Sequence, residues 1–149
     1  EDLQLPLSKI MNTDVVTGHP LDFVEDVAAV FYECKIGCMP VLLDHKLVGI
    51  VTETDMLHTL VKLTGANKPG SQIQLKVEDK PGVLHDVLSV IKGRKANIQG
   101  LLVYPDPSDE AYKILAFRIQ TMNPTMVVSS LAEAGFEVVW PQITEQRHE

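Results

Sequence analysis

Thr52 and Asp55 are the residues whose spacing most directly suggests chemistry. They follow the apolar segment Gly49–Val51 and stand where a helix is predicted to begin. Free backbone N–H groups and the helix dipole favour an anion at such a position, and a carboxylate one turn further on can accept both hydroxyls of a ribose. Thr-x-x-Asp is also the spacing of a capping box, which many helices carry without any ligand. A nucleotide site and a simple helix cap are therefore both open.

A second candidate site begins at Asp79-Lys80-Pro81-Gly82. Gly82 permits close approach of a backbone, so the amides of the helix that follows can meet a carboxylate. Asn97, at the entry to the next predicted strand, can bind polar groups of a ligand through its side chain or backbone. Asp-x-Pro-Gly is equally an ordinary strand-to-helix turn. The residues alone do not separate a ligand site from a turn.

Residues that could make an enzyme do not converge along the sequence. A catalytic site needs a nucleophile with its base, paired carboxylates or clustered metal ligands. His45, His58 and His85 fall in separate predicted elements, without Cys or Asp at ligand spacing, and Cys34 and Cys38 form no Cys-x-x-Cys pattern. We therefore expect no enzymatic activity, no metal site and no required cofactor.

The first half of the chain has the pattern strand–helix–strand–strand–helix. Asp22 and Glu25 read as a capping box before a helix whose apolar residues recur at helical spacing, and Gly37 is expected to end it. The predicted elements are a strand at Val15–Thr17, a helix carrying Phe23, Val27, Val30 and Phe31, strands at Met39–Leu43 and Leu47–Val51, and a helix from about Thr52. The order β-α-β-β-α follows.

A break at Thr64–Ser71, with two glycines and a proline, predicts a linker between two domains. The second half then reads βαββαβ. Its elements are a strand at Ile73–Val77, a helix with Leu84, Val87, Leu88 and Ile91, strands at Ile98–Tyr104 and Lys113–Gln120 joined by the loop Pro105–Glu110, a helix at Met126–Ala134 and a strand at Glu137–Trp140. This is the order of a ferredoxin-like sandwich in the α+β class, with helices on one sheet face. We expect association to cover the other face.

The first half resembles the CBS domain, named after cystathionine β-synthase, over about 62 residues. The resemblance is carried by Ile10-Met11, Asp14–Thr17, Ile36–Val41 and Lys46–Thr52. It implies that an adenine is enclosed by Val16, Thr17, Met39 and Pro40, that Asp55 holds the ribose and that Thr52 faces phosphate. Thr54 stands where many nucleotide-binding members have arginine. The ligands implied are AMP, ATP, S-adenosylmethionine or NAD, each as a regulatory ligand.

Residues Ser71 to Pro141 resemble the ACT domain through Asp79–Leu84 and Ala96–Ile98. The resemblance implies an amino acid bound at an interface between two such domains. The residues implied to hold it are Asp79, Gly82, Val83, Leu84, Asn97 and Ile98. Many ACT domains serve only to dimerise, so binding and dimerisation both stay open. The predicted domains are a CBS motif at 1–65, a linker at 66–70, an ACT domain at 71–141 and a tail at 142–149.

The arrangement of both halves is similar to bacterial acetoin utilization proteins of the AcuB type, which carry two CBS motifs and then an ACT domain. The matching segments are Phe31–Glu33, Val61–Ala66, Pro69–Ile73, Thr121–Pro124 and Val138–Pro141. CBS motifs work in pairs, and this chain has one and begins without Met. We expect either that a first copy precedes Glu1 or that dimerisation builds the pair.

Charge narrows the classes of partner. The chain has 13 basic and 20 acidic residues, a net charge of −7, so its average surface would repel a nucleic-acid backbone or an anionic membrane. No apolar run approaches the roughly 18 residues of a membrane span. Two cysteines outside a disulfide or zinc pattern favour a reducing cytoplasm.

Two functions from different classes remain. The first is a regulatory module that senses a small-molecule effector and acts on an unknown regulated protein. The second is a structural dimerisation or scaffold module that binds no small ligand. In both, we expect a homodimer formed through the CBS domain, the ACT domain or both.

Overall fold

Helices and strands alternate along the chain in the computed structural model, which describes residues 5–142. The mixed α/β class predicted from the sequence is confirmed. The described residues form two compact units, one up to Thr59 and one from Leu60 onward. The predicted tail at 142–149 lies outside the described residues except for Gln142, and the predicted domain limits stay predictions.

The first unit begins with a short 3-10 helix at Leu7–Lys9. Its further elements are helix α1 (Val24–Cys34), strands β1 (Cys38–Leu43) and β2 (Lys46–Thr52), and the start of helix α2 (Glu53–Thr64). β1 and β2 pair antiparallel from Cys38 opposite Thr52 to Leu43 opposite Lys46. Asp44 and His45, between them, both have positive φ, which is the backbone of a two-residue hairpin turn.

The strand predicted at Val15–Thr17 is wrong. Chain pairing there is limited to one parallel bridge, in which the Gly18 N–H donates to the Pro40 carbonyl at 2.9 Å and the Leu42 N–H to the Gly18 carbonyl at 2.9 Å. Pro20 has no N–H with which to extend the ladder. Val16 is 39% exposed, so burial does not hold the segment as a strand either. The predicted β-α-β-β-α order loses its first strand.

The predicted ends of α1 are also wrong. Asp22 does not cap the helix, because its Oδ2 accepts the His19 N–H at 2.6 Å and closes a turn before the helix begins. Phe23 is the N-cap residue and makes no side-chain cap hydrogen bond. The helix ends at Cys34, three residues before the expected stop at Gly37, because the next residue, Lys35, adopts the left-handed conformation with φ 53°.

The core of the first unit is small. Val27, Phe31 and Met39 are its buried residues within the described chain, with partly buried apolar residues packed around them: Val30, Ile36, Val51 and Met56. The prediction that α1 turns one apolar face to the core is therefore confirmed for Val27 and Phe31. It is wrong for Phe23, which is 69% exposed. β2 is exposed from Lys46 to Ile50.

The second unit contains a four-stranded antiparallel sheet within the described residues, in the order β4-β5-β3-β6. Its elements are β3 (Ser71–Glu78), α3 (Val83–Gly93), β4 (Ile98–Asp106), β5 (Asp109–Ile119), α4 (Thr125–Glu133) and β6 (Glu137–Trp140). The predicted βαββαβ order of elements is confirmed, and β6 has the predicted bounds. The alternation of β3 buries Ile73, Leu75 and Val77 in a core shared with α3 and α4.

The loop predicted at Pro105–Glu110 is wrong, because the two strands continue to a turn of two residues, Pro107 and Ser108. Asp106 Oδ1 accepts the Ser108 N–H at 2.8 Å and the Ser108 hydroxyl at 2.7 Å. This local bonding closes the turn. The other carboxylate oxygen of Asp106 pairs with Lys76 of β3 at 2.6 Å, which ties the hairpin to the central strand.

Residues 64–70 lie against β4 and β5 of the second unit. A Cβ added to Gly100 would come within 2.4 Å of the Thr64 carbonyl oxygen, so the absence of a side chain permits this approach. The Arg118 guanidinium donates to the Lys68 carbonyl from Nη2 at 2.6 Å and from Nε at 3.2 Å. The glycine- and proline-containing segment is thus packed onto the sheet.

Candidate functional site

Thr52 and Asp55 form the capping box that their spacing predicted. The Thr52 N–H donates to Asp55 Oδ2 at 2.9 Å, and the Asp55 N–H donates to Thr52 Oγ1 at 3.3 Å. The Thr52 hydroxyl also donates to Asp55 Oδ2, at 2.7 Å. Thr52 ends β2 and α2 begins at the next residue, so these bonds fix the carboxylate at the first turn of the helix.

The Asp55 carboxylate is held in its ionised form. The hydrogen bond from the Thr52 hydroxyl, and then that from the Thr52 backbone, lower the pKa of Asp55 below its usual range. His58 adds a smaller effect in the same direction, and partial desolvation opposes them. Within residues 5–142, the hydrogen bonds that the Asp55 carboxylate accepts both go to Oδ2, so Oδ1 is an available acceptor on an exposed residue.

A cavity of about 170 Å³ lies nearby in the same unit. Among the described residues, Met39 is the one predicted nucleotide-binding residue that lines it. Its other walls come from Gly18, His19 and Asp22, and from apolar residues of α1, β1, β2 and α2: Val24, Val27, Val41, Val51 and Met56; Pro20 completes the lining. Pro40 is half-buried beside it and accepts the Gly18 N–H. Met39 and Pro40 thus lie on the strand paired with that of Thr52, with Cys38 opposite Thr52 and Met39 opposite Val51. Pro40, Thr52 and Asp55 are outside the lining of this cavity.

Gly18 and His19 line this cavity, and neither was among the predicted nucleotide-binding residues. The His19 Nδ1 accepts the Leu21 N–H at 3.2 Å. In a neutral imidazole this leaves the proton on Nε2 as a donor. The signal that could have found them is Gly-His-Pro between a β-branched run and a helix. Val16 and Thr17, which were assigned, are exposed and do not line this cavity.

At the second candidate site, Asp79 and Gly82 both have structural roles. Asp79 Oδ1 pairs with Lys113 Nζ at 2.7 Å, and the Asp79 N–H donates to the Ala111 carbonyl at 2.9 Å. Gly82 is the N-cap of α3 with φ 90°. Nothing lies within 4 Å of a Cβ placed on it. Within this chain, the positive φ, and not a lack of space for a side chain, is therefore the reason that glycine is favoured at this position.

Asn97 and Ile98 lie at the opposite end of the sheet from Asp79–Leu84. Ile98 pairs with Ile119, which pairs with Ser71 at the start of β3, whereas Glu78 at the end of β3 pairs with Tyr112. Seven residue steps at about 3.3 Å separate the two ends by roughly 23 Å. Asn97 is also engaged locally, with its Nδ2 donating to Gln120 Oε1 at 3.3 Å. One copy of the chain does not bring the six predicted residues together.

A cavity of about 300 Å³ opens beside the start of α3, and Val83 lines it. Its charged residues carry both signs: Lys76, Glu78, Lys80, Asp86 and Glu137. Lys80 Nζ bonds to Glu78 Oε2 at 2.6 Å, which raises the pKa of Lys80. Tyr112 and Phe136 add apolar wall. Opposite charges beside an apolar wall suit a zwitterion with a side chain.

Across residues 5–142, no group of three or more His, Cys, Asp or Glu residues is arranged to hold a metal ion. None of the helices described there has the length and apolarity needed to cross a membrane.

Residues 7–62 match the family of the CBS domain. The chain contains a CBS domain. The matched range includes both Thr52 and Asp55, and proteins with such domains are commonly regulatory modules that sense ligands. A curated relative is the CBS domain-containing protein YhcV of Bacillus subtilis, 34% identical over 55 residues. The match covers 37% of this chain and 39% of YhcV, so it spans well under half of that relative's length.

Two solved structures show weak likeness to the chain. One is an unknown protein from Galdieria sulphuraria, with a TM-score of 0.38 and 17% identity, covering 45% of this chain and 40% of that one. The other is prephenate dehydratase from Streptococcus mutans, with a TM-score of 0.36 and 16% identity, covering 80% and 79%. At these TM-scores, neither likeness bears on function.

Proposed function

We propose that this protein is a non-catalytic regulatory module whose CBS domain binds an adenine nucleotide or a related adenosyl ligand. One observation carries the proposal: within the CBS match, Asp55 is ionised, exposed and fixed by Thr52, with Oδ1 available. A carboxylate oxygen in that state is a strong acceptor for the two hydroxyls of a ribose.

The remaining contacts of the ligand follow from the elements around Asp55. Thr52, just before the start of α2, faces the phosphate, and Met39 and Pro40 of β1, with Val16 and Thr17, enclose the adenine. Thr54 supplies no positive charge, so a ligand with few phosphates is favoured. The exposed β2 leaves room for a second CBS domain to complete the cleft. The effector can regulate a partner only if it binds two arrangements of the protein with different affinity.

Calorimetric titration with AMP, ATP, S-adenosylmethionine and NAD tests this function. We expect heat with at least one of them, and loss of binding by about 10-fold or more in Asp55→Asn, because a charge-assisted hydrogen bond is removed. Asp26→Asn is the matched control, since Asp26 is likewise exposed in the first turn of a helix. Absence of heat with all four ligands, or equal loss in both variants, would contradict the proposal.

For the second unit we propose a ferredoxin-like ACT domain over residues 71–141, which binds an amino acid. The antiparallel order β4-β5-β3-β6 and the cavity of mixed charge beside α3 support this assignment. The α-carboxylate would lie at the amides of Val83 and Leu84, and the ammonium near Asp86. Asn97 and Ile98 would come from a second copy, because in one chain they lie at the other end of the sheet.

Thermal shift with each of the twenty amino acids tests this assignment. We expect at least one to raise the Tm of the wild type, and Asp86→Asn to lose the response because the ammonium loses its counter-charge. Glu133→Gln, at the exposed end of α4, is the matched control. If no amino acid moves the wild-type Tm, the unit is a dimerisation domain.

A structural dimerisation or scaffold module is the second candidate, and exposed apolar residues favour it. Leu47, Val48 and Ile50 of β2 are all more than half exposed, as are Leu57 and Leu60 of α2. Exposed apolar residues of this kind are what an interaction surface would use. Light scattering on the purified protein, with and without the adenine ligands, separates the candidates: a stable homodimer that binds none of the ligands supports the scaffold.

The pathway and the cellular compartment are proposed from less evidence than the ligand sites. The link to acetoin utilization comes from the resemblance to AcuB-type proteins, and the regulated protein is unknown. A reducing cytoplasm fits Cys34 and Cys38, which are exposed and free. Isolation of the complexes that this protein forms in the presence of AMP, from bacteria grown with and without acetoin, would test the setting. The same set of partners under both growth conditions would contradict it.

A further inference from the structure

A cavity of about 220 Å³ lies between the segment 64–66 and the sheet face that is opposite the core of the second unit. Two register rows form its floor: Leu102 with Ala116, and Gly100 with Arg118 and Gln72. Ala116 is small and Gly100 has no side chain, so space remains beneath the segment. At roughly 30 Å³ per molecule, the cavity has the volume of about seven waters.

Arg118 is the charged residue that lines this cavity. Its Nε and Nη2 donate to the Lys68 carbonyl, which holds one edge of the guanidinium in place. Within residues 5–142, the ion pairs involve Lys76, Lys80, His85 and Lys113, and none brings a carboxylate to Arg118. The donors of Nη1 therefore have no carboxylate partner in the described part of a chain whose net charge is −7.

We propose that this cavity binds a small organic carboxylate, with Arg118 as the residue that holds the anion. A guanidinium anchored on one edge offers parallel N–H donors on another, and their spacing matches the two oxygens of a carboxylate. Because the Lys68 carbonyl already fixes the side chain, little rotamer freedom is lost when the anion binds. The site is separate from Asp55 and from the start of α3, and it does not depend on the function proposed for either.

The apolar floor selects among anions. Leu102 and Ala116 offer hydrocarbon surface in the row beside Arg118, which an inorganic phosphate or sulfate cannot use. A carboxylate with a short aliphatic chain places its charge at Arg118 and its carbons on these two residues. A carboxylate of about three to five carbons has about five to seven heavy atoms, which fit within the volume of about seven waters.

Nuclear magnetic resonance titration of the full chain with butyrate tests the site. We expect a Kd of about 1 mM, as is usual for so few ligand atoms, and shifts centred on the amides of Gly100 and Ala116 and on the Arg118 Nε–H. Butyramide has the same shape without the charge and should cause no such shifts. Inorganic phosphate should bind at least about 10-fold more weakly, since it leaves the apolar floor uncovered.

Two variants and one control distinguish a loss of butyrate binding at the site from a general effect on the folded protein. Arg118→Gln should weaken butyrate binding by about 10-fold or more, because the bidentate anion contact is lost. Ala116→Leu should block the cavity while Arg118 keeps its bond to Lys68. Arg94→Gln is the matched control: Arg94 donates to Ser130 Oγ at 2.6 Å, does not line this cavity, and has no carboxylate partner in the described chain.

The results that would overturn the proposal are specific. If butyrate causes no shifts at Gly100, Ala116 and Arg118 in folded wild-type protein, the cavity holds solvent only and Arg118 serves to fix residues 64–70. Equal responses to butyrate and butyramide would show that the anion is not what is recognised. Equal losses in Arg118→Gln and Arg94→Gln would show a general effect of charge and not a site.

Discussion

The two units of the chain bury their apolar residues in different ways. In the second unit the strands β3 and β5 place alternate residues against α3 and α4, and Ile73, Leu75 and Phe117 are fully buried. In the first unit β2 carries Leu47 and Ile50, which are 69% and 62% exposed. Burial of apolar surface is the main favourable contribution to folding. The second unit therefore buries the apolar surface that stabilises it, whereas the first leaves apolar side chains of β2 in water.

The largest expected effect is on the second core. Phe117→Ala should lower the free energy of unfolding by about 3–5 kcal/mol, since a buried aromatic ring is replaced by a cavity. Ile50→Ala in β2 should change it by no more than about 0.5 kcal/mol in the monomer, because the side chain is already in contact with water. Urea unfolding measures both. Comparable losses would show that β2 is covered and that the contrast between the units is wrong.

A smaller effect is expected where residues 64–70 meet the sheet. Gly100→Ala brings a Cβ to 2.4 Å from the Thr64 carbonyl, so β4 or the segment must shift, at about 1–3 kcal/mol. Gly93→Ala, at the end of α3 with nothing within 4 Å, should leave stability unchanged or raise it by up to about 1 kcal/mol. Thermal unfolding compares them. If Gly100→Ala is also neutral, the segment is not packed against β4.

The smallest expected effect is a dependence on acid. The bond from Lys76, and then those from Ser108, lower the pKa of Asp106 from 3.8 to about 2. Because the folded state holds the proton more weakly than the unfolded chain, this contribution is complete above pH 3.8 and is lost as the pH falls through about 2. Asp106→Asn should therefore lower the Tm near neutral pH, and the difference from wild type should shrink across this range. A difference that is constant down to pH 2 would contradict it.

Periodicity and capping patterns located most elements of both units before the structure was known. The alternation of Ile73, Leu75 and Val77 predicted β3, and Thr52 with Asp55 predicted the cap of α2. Two of the misses share a cause: a side chain bonds to a nearby backbone group that the pattern does not reveal. Asp22 turns back to the His19 N–H, and Asp106 closes a turn on Ser108.

The candidate sites were harder to predict than the fold. Asp79–Leu84 and Asn97–Ile98 are close in the sequence, yet a helix of eleven residues carries the chain to the other end of the sheet between them. Arg118 gave no signal at all, because its significance depends on a carbonyl fifty residues away. Spacing along the chain can place residues on one element, but it cannot show which distant backbone they meet.

The tight approach of Gly100 to Thr64 limits how evolution or an engineer could reuse the second unit. A linker that acts as a tether can be lengthened or exchanged with little cost. Residues 64–70 are instead part of the surface of the sheet, held by Gly100 and by the bond from Arg118 to Lys68. Moving this unit into another protein would require carrying the end of α2 with it. Packing therefore sets the boundary at which this unit could be cut. The glycines and the proline that predicted a linker belong to the folded unit itself.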